Sequence, residues 1–396
     1  MTKPYTGWLM VPLAALAMVG TMPGRTNFLG AISKPVVADP AFGLTDQSFG
    51  WLNFGAVLLG AVLCVPVGPL IDRLGVRAVL TGVAAALGAS VYAMSLAADR
   101  TTLAVTLVLV RGLGQGALSV VALSLVGKWF SRRLGPAVGV FMVLLTFGFA
   151  GGFVWLKPAV EATGWRQPWQ HIAYALFGLA GLAAVFARNG PPGADDDPPP
   201  TVTVRQAVRT RGFWAPTLCG AHLLLTLAAV TLFQEQLLAA HGFAGGDTGT
   251  AFVTVGAAMT LAGLPANIVG GLLLRRVARG NVLAVGMSLL AASLLVFPRV
   301  ETVPAAAGWA ALLGAAGGLV SVAYLSGYGA SFGRGRLGGI QTVAQVVTVV
   351  GSAVGPVLLT GGGQDVGRAD GFFYATAAAA VGLAAFGWSS GRSPKR

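Results

Sequence analysis

Two arginines, Arg25 and Arg111, stand inside long apolar stretches of this 396-residue chain, and their type and position are the first signs of chemistry. An ionisable side chain near the middle of a membrane costs about 2.5–3.5 kcal/mol on insertion scales, so it is kept where it faces a bundle interior or an aqueous cavity. Arg25 lies about 17 residues into its stretch from one end, roughly 25 Å at the helical rise. Arg111 lies about nine residues into its own from the opposite end, roughly 14 Å by the same rise. In a hydrocarbon layer of ~30 Å both fall in one half or near the middle, at heights that allow a shared cavity. Their stretches carry no acid. A carboxylate or another oxyanion would complete the charge by bidentate pairing, and Asn27 and Gln115 beside them add amide donors. The competing structural readings are Arg111 bonded to helix carbonyls and Arg25 snorkelling to an interface.

A second group lies later in the chain. His222, about ten residues into the seventh stretch, titrates in the physiological range and fits either proton coupling or a histidine bonded to a neighbouring helix. Glu235, in Gln234-Glu235-Gln236 near the end of that stretch, is a proton-binding candidate or a solvated interfacial acid. Tyr324 and Tyr328, at i and i+4 on one helix face, suit a substrate cradle, although an aromatic belt explains Tyr328 equally well. Gln341 and Gln345, one turn apart, are inner-gate candidates. The candidate substrate-binding set is therefore Arg25, Asn27, Arg111, Gln115, His222, Tyr324 and Tyr328, with His222 and Glu235 for proton coupling.

Membrane spans must position these side chains. The chain is 55% hydrophobic and 10% charged with a mean hydropathy of +0.76, where a soluble domain carries about 25% charge; a soluble enzyme is excluded. Punctuation by charge, Gly and Pro cuts twelve apolar stretches at 7–32, 48–71, 77–98, 102–127, 135–157, 169–187, 212–238, 249–274, 281–298, 304–330, 337–360 and 371–390. The expected fold class is all-α integral membrane. The first stretch is too long for a signal peptide and lacks a cleavage site, so it is expected to be retained. The 58 glycines suit close helix packing. Cys64 and Cys219 lie in apolar stretches without the spacing of a disulfide framework or zinc site.

The net charge of +13 is a topology signal, because its cations sit in short loops without the clustering that nucleic-acid binding needs. Of the 26 Lys and Arg, 18 fall in one set of loops, six in the other, and two inside spans. By the positive-inside rule both termini face the cytoplasm of a multi-pass cell-membrane protein. Residues 188–211 separate two sets of six: RNGPPGADDDPPP reads as a flexible linker, and TVRQAVRTRGFW as an amphipathic helix at the cytoplasmic interface. The expected organisation is an N-terminal bundle 1–187, this linker, and a C-terminal bundle 212–396.

A repeat supports duplication. The loop after span 2 reads Gly68-Pro-Leu-Ile-Asp72-Arg73-Leu-Gly75-Val-Arg77, and the loop after span 8 reads Gly271-Leu-Leu-Leu-Arg275-Arg276-Val-Ala278-Arg279. Glycine lets two helix ends cross closely, and the carboxylate pairs with arginines or a helix N-terminus across a cytoplasmic gate. Gly68, Asp72, Arg73, Gly75, Arg77, Arg275 and Arg276 are the gate candidates, with Asp72 acting on the gate and not on substrate.

These residues resemble the signature G-x-x-x-D-(R/K)-x-G-x-(R/K) of the major facilitator superfamily. Arg111-Gly-Leu-Gly114-Gln-Gly116 is similar to the same family's motif in its fourth, cavity-lining span. Lys128-Trp129-Phe130-Ser131-Arg132-Arg133-Leu-Gly135-Pro-Ala137 and VRQAVRTRGFW resemble the monocarboxylate-porter and oxalate/formate-antiporter branch. The resemblance implies twelve helices in two six-helix bundles, each of inverted three-helix repeats, rocking about a central cavity lined by spans 1, 4, 7 and 10. The chain departs from it at Arg275, which stands at the aspartate position. It departs again in span 8, where the branch carries a cation and this chain has Asn267.

The leading functional expectation is a secondary transporter of a small organic anion, a mono- or dicarboxylate, moved with protons or by exchange. Proton-driven efflux of apolar or cationic drugs is the alternative; it would favour acids in the first six spans and G-x-x-x-G-P in span 5, where Gly148, Gly151 and Gly152 lack the proline. That run occurs in span 11 as Gly351-x-x-x-Gly355-Pro356. A non-transporting sensor with the same fold is the reading from a different class. ATP-driven pumping lacks a Walker motif, and an intramembrane enzyme lacks a nucleophile, dyad or metal constellation around His171, His222 and His241. The expected partners are an anionic small molecule, protons or a counter-substrate, and the bilayer, for a monomer with no cofactor and no nucleic acid.

Overall fold

The protein, seen in a computed structural model, is described over residues 5–130, 134–190, 202–243, 246–333, 336–360 and 369–390, and the side chains of Asn27 and Glu235 are outside that description. Among the described residues it is helical without a strand. Helix α1 (Tyr5–Val19) and α2 (Thr26–Val37) form the first span, and α3 (Asp46–Cys64) most of the second. Next come α4 (Val67–Ser95) and a long helix made of α5 (Arg100–Val110), a π-helical segment (Arg111–Leu118) and α6 (Ser119–Trp129). Helices α7 (Leu134–Thr163) and α8 (Arg166–Phe186) complete the first half. After the single turn α9 (Val204–Ala207) follow α10 (Arg211–Leu232), α11 (Gln234–Ala240), α12 (Gly246–Leu273), α13 (Arg279–Val296), α14 (Val303–Leu325), α15 (Gly327–Phe332), α16 (Leu337–Thr360) and α17 (Ala369–Ser390).

Among the described residues, ten helices are long and apolar enough to cross a membrane. The first two expected spans are interrupted, and proline is the cause in both. Met22-Pro23-Gly24 forms a 3₁₀ turn, after which Arg25 is extended (φ −97°, ψ 144°) before α2 begins. Pro66 parts α3 from α4; a proline removes a backbone donor and crowds the preceding turn. The loop expected between spans 2 and 3 shrinks to one residue, since α4 runs through it and departs from helical geometry only at Gly75 (φ 82°, ψ 161°). That backbone favours glycine, and a Cβ there would lie 2.5 Å from the Asn189 side chain, whose Oδ1 accepts the Arg77 amide.

Helix starts follow local chemistry. Thr45, Asp99, Thr210 and Thr302 cap α3, α5, α10 and α14, each side chain accepting a first-turn backbone N–H, a contribution of about 1 kcal/mol apiece. Two compact units result. The first comprises Met1–Ser131, Leu144–Val204 and Phe332–Val350, the second Arg132–Val143, Arg205–Ser331 and Gly351–Arg396. The first therefore includes the opening turns of α16, and the second those of α7. In the first, Leu80, Leu87, Leu107 and Trp169 are fully buried. In the second, Phe297 stacks on Phe373 (4.2 Å) and against Trp309 (4.6 Å), while small residues let α12 and α14 touch closely, Gly318 facing Ala266.

Candidate functional site

The π-helical segment Arg111-Gly-Leu-Gly-Gln-Gly-Ala-Leu118 coincides with the span-4 motif. Three glycines weaken the α-helical preference here and allow neighbouring backbones to meet it. A Cβ at Gly60 of α3 would lie 2.7 Å from the Gly112 nitrogen, and one at Gly24 would lie 2.6 Å from the Val110 carbonyl oxygen. π-Helical turns are rare and concentrate at functional sites. Here the segment carries a buried cation at its first residue and a carbonyl, that of Gln115, which accepts a hydrogen bond from Gln345 Nε2 at 3.1 Å.

Arg111, 2% exposed, is engaged by neutral protein groups. Its Nε donates to Asn53 Oδ1 at 3.0 Å, and Nη2 donates to the same oxygen. Its Nη1 donates to the Gly24 carbonyl (3.0 Å), Thr26 Oγ1 (3.1 Å) and Gln115 Oε1 (3.2 Å). Gly24 and Thr26 are the two neighbours of Arg25. The buried guanidinium therefore joins α3, the π segment and the break in span 1, and fixes the backbone that displays Arg25. Shared hydrogen bonds meet most of the desolvation cost of such a charge.

Arg25 has a different environment. Its Nε donates to Thr21 Oγ1 (2.7 Å), one Nη lies 3.2 Å from the Met18 sulfur, and its guanidinium carbon sits 4.9 Å from the centre of the Phe149 ring. No carboxylate pairs with it among the described residues, where the ion pairs are Lys128–Asp72 and Arg166–Asp39. Arg25 is half-buried, at a point where the helix is open. The structure thus brings Arg25, Arg111 and Gln115 into one neighbourhood and gives the arginines unlike surroundings.

The span-2 motif meets the start of α16. Asp72 accepts the amides of Gly338 (3.3 Å) and Gly339 (3.2 Å) and pairs with Lys128 at 3.5 Å. Gly68 and Gly338 cross so closely that a Cβ on Gly338 would lie 2.8 Å from the Gly68 carbonyl oxygen. Further along α16, Gln341 Oε1 accepts from Ser124 Oγ at 2.6 Å. Arg73 and Arg77 are exposed, and Arg77 donates to the Ala184 carbonyl. In the second unit the equivalent crossing is Gly271 against Gly135, with a built Cβ 2.8 Å from the Gly135 oxygen. Arg275 and Arg276 there are exposed, and neither supplies a carboxylate to cap α7.

The remaining candidates lie in the second unit. His222 Nε2 is 3.0 Å from the Thr376 carbonyl, bonded to a neighbouring helix. Tyr328 is buried with its hydroxyl 2.7 Å from Thr217 Oγ1, and Tyr324 packs on Gly220. The helix breaks at Ser326 between the two tyrosines. Asn267 is buried with Oδ1 unbonded. The Asn27 and Glu235 side chains are outside the described groups.

Sequence reading missed Asn53, Thr21 and Phe149. Asn53, an amide in an apolar helix, carried the only usable signal; Phe149 looks like any span phenylalanine until the fold sets it beneath a guanidinium.

Comparison with known proteins agrees with this architecture. The human organic anion transporter MFSD10 (TETRAN) superposes with a TM-score of 0.68 at 15% identity, over 98% of this chain and 99% of that one. FucP, a Major Facilitator Superfamily transporter in the outward conformation, gives 0.72 at 14% identity over 96% and 99%. The N162A form of the E. coli fucose:proton symporter FucP gives 0.67 at 13% over 96% and 98%. At these identities the likeness concerns the fold alone. No curated protein sequence matches the chain. The Major Facilitator Superfamily description, by contrast, matches residues 14–356. With that match, the helical membrane fold and the motif at 68–77, the chain belongs to the major facilitator superfamily: a multi-pass membrane transporter of a small molecule, not an enzyme, of the secondary, alternating-access kind.

Proposed function

We propose that the protein carries a small organic anion across the cell membrane, coupled to protons or by exchange, with both termini in the cytoplasm and two six-helix halves, 1–187 and 212–396, joined by 188–211. The observation that carries the reading is Arg25: a cation at the break of span 1, bonded to neutral groups and without a carboxylate partner among the described residues. An uncompensated guanidinium in a low-dielectric layer is costly unless an anion completes it. Arg111 positions it, through Gly24 and Thr26. Asp72 on the amides of α16 is a cytoplasmic latch. The loop likeness to the monocarboxylate-porter and oxalate/formate-antiporter branch supports the same substrate class. One protein of like fold is an organic anion transporter, but the substrate class here rests on Arg25.

Uptake of labelled carboxylates into vesicles tests the reading. Arg25→Gln should lower anion uptake at least about tenfold, the weight of one charge-assisted hydrogen bond, with Arg25→Lys retaining part of it. Unchanged uptake in Arg25→Gln would remove the anion site from this residue.

A further inference from the structure

We infer that the anion is monovalent and aromatic, an arylcarboxylate in class, with its ring held by the phenylalanines beside Arg25; this rests on the anion reading above. The guanidinium lies over Phe149 at 4.9 Å. Phe149 is 5.8 Å from Phe28, and Phe28 stacks on Phe153 at 4.0 Å and 29° between planes. Phe28 is buried, Phe149 half-buried and Phe153 exposed. One edge of the cluster, at Phe28, is therefore covered and the other, at Phe153, is uncovered, and it is on this uncovered edge that an incoming ring would stack.

Among the described side chains, Arg25 bonds to one hydroxyl, that of Thr21, and meets one thioether, that of Met18. A hydrophilic anion such as lactate or oxalate, stripped of water here, would find one charged fork and no further donors from these neighbours. An aryl ring would instead gain face and edge contacts with the phenylalanines while its carboxylate meets the guanidinium, the arrangement of ligand sites that are mostly apolar with few orienting groups. Divalency is disfavoured by the second arginine: Arg111 spends its Nε and both Nη groups on Asn53, Gly24, Thr26 and Gln115, leaving one guanidinium to read charge.

Thermal stabilisation of the purified full-length protein by benzoate, phenylacetate, lactate, oxalate and benzamide decides it, with vesicle uptake of the same compounds as the second readout. The expected result is stabilisation and transport of the two aryl anions, with lactate and oxalate at least about tenfold weaker and benzamide inactive. Phe149→Leu, which keeps apolar bulk and removes the ring, should weaken benzoate about threefold to tenfold, the worth of an aromatic pair. If lactate or oxalate matches benzoate, the aromatic inference falls and the anion reading stands. If benzamide matches benzoate, or no carboxylate acts, both fall. The unmutated protein alone yields each of these outcomes, so a poorly folding Phe149→Leu leaves the test intact.

Discussion

Arg25 and Arg111 share a charge, a neighbourhood and a place within apolar sequence, yet their partners assign them different work. Arg111 is a clamp whose cost of burial is met by Asn53, a backbone carbonyl, a hydroxyl and an amide oxygen. Asn53→Leu would leave two N–H donors of the Arg111 guanidinium, those of Nε and Nη2, without their acceptor, and stability should fall by about 1–3 kcal/mol. A lowered midpoint of thermal unfolding checks this, together with weakened anion uptake as the span-1 break loosens; an unchanged midpoint would count against the clamp. That the arginines mattered was legible in the sequence, because a charge in a membrane span is rarely idle. Their division of labour was not: it depends on which backbone carbonyl is left free by Pro23 and Gly24, and on a ring from α7 that no spacing in α1 announces. His222 shows the same limit, since a partner on α17 lies 154 positions away.

Among the elements, α16 begins on a carboxylate far away in the sequence. Its first amides, at Gly338 and Gly339, point at the Asp72 carboxylate, a charge placed where the helix dipole favours an anion, worth about 0.3–1 kcal/mol and up to ~2 where partly buried. Asp72→Asn keeps the shape and removes the charge. Exchange across vesicles should slow severalfold with substrate affinity little changed; an equal loss of affinity would contradict a latch role. The motif offered the carboxylate two kinds of partner, arginines or a helix N-terminus, without saying which of them, or which helix, would answer it. Interrupted spans were the less legible part. Hydropathy averages across Pro23 and Pro66, so a run of apolar residues reads as one span where backbone donors have been removed and the helix stops.

For the whole molecule, loop charge is the strongest statement the sequence makes, and it is open to direct test. Cys64 and Cys219 are buried, so single cysteines placed at exposed positions report topology against a silent background. Arg336→Cys should react with an impermeant maleimide only from the cytoplasmic face and Glu301→Cys only from the other; the reverse pattern would invert the orientation. On the Glu301 side of that scheme, Arg166 donates to Asp39 at 2.6 Å and to the Ala97 carbonyl at 2.8 Å. The hydrogen bond from Arg166 holds the Asp39 carboxyl below its ordinary range. Because the folded value is lowered, the stabilisation is complete above the ordinary carboxylate pKa of about 3.9 and is lost as pH falls through the lowered one. For a solvent-screened pair it amounts to at most about 1 kcal/mol. The stability difference between native protein and Asp39→Asn should therefore be constant near neutrality and shrink as acid protonates the lowered Asp39 carboxyl; a difference that stayed at its neutral size in strong acid would exclude the pair as its source.

The π-helical stretch Arg111–Leu118 also bears on kinship. A π turn holds an extra residue relative to an α turn, so counting along span 4 is out of phase by about one residue, or ~100° of rotation, between its two ends. Any relative with an unbroken α-helix at this place must be aligned with a single-residue gap inside a membrane span. Without that gap Ser124 and its neighbours would be matched to side chains facing the wrong way.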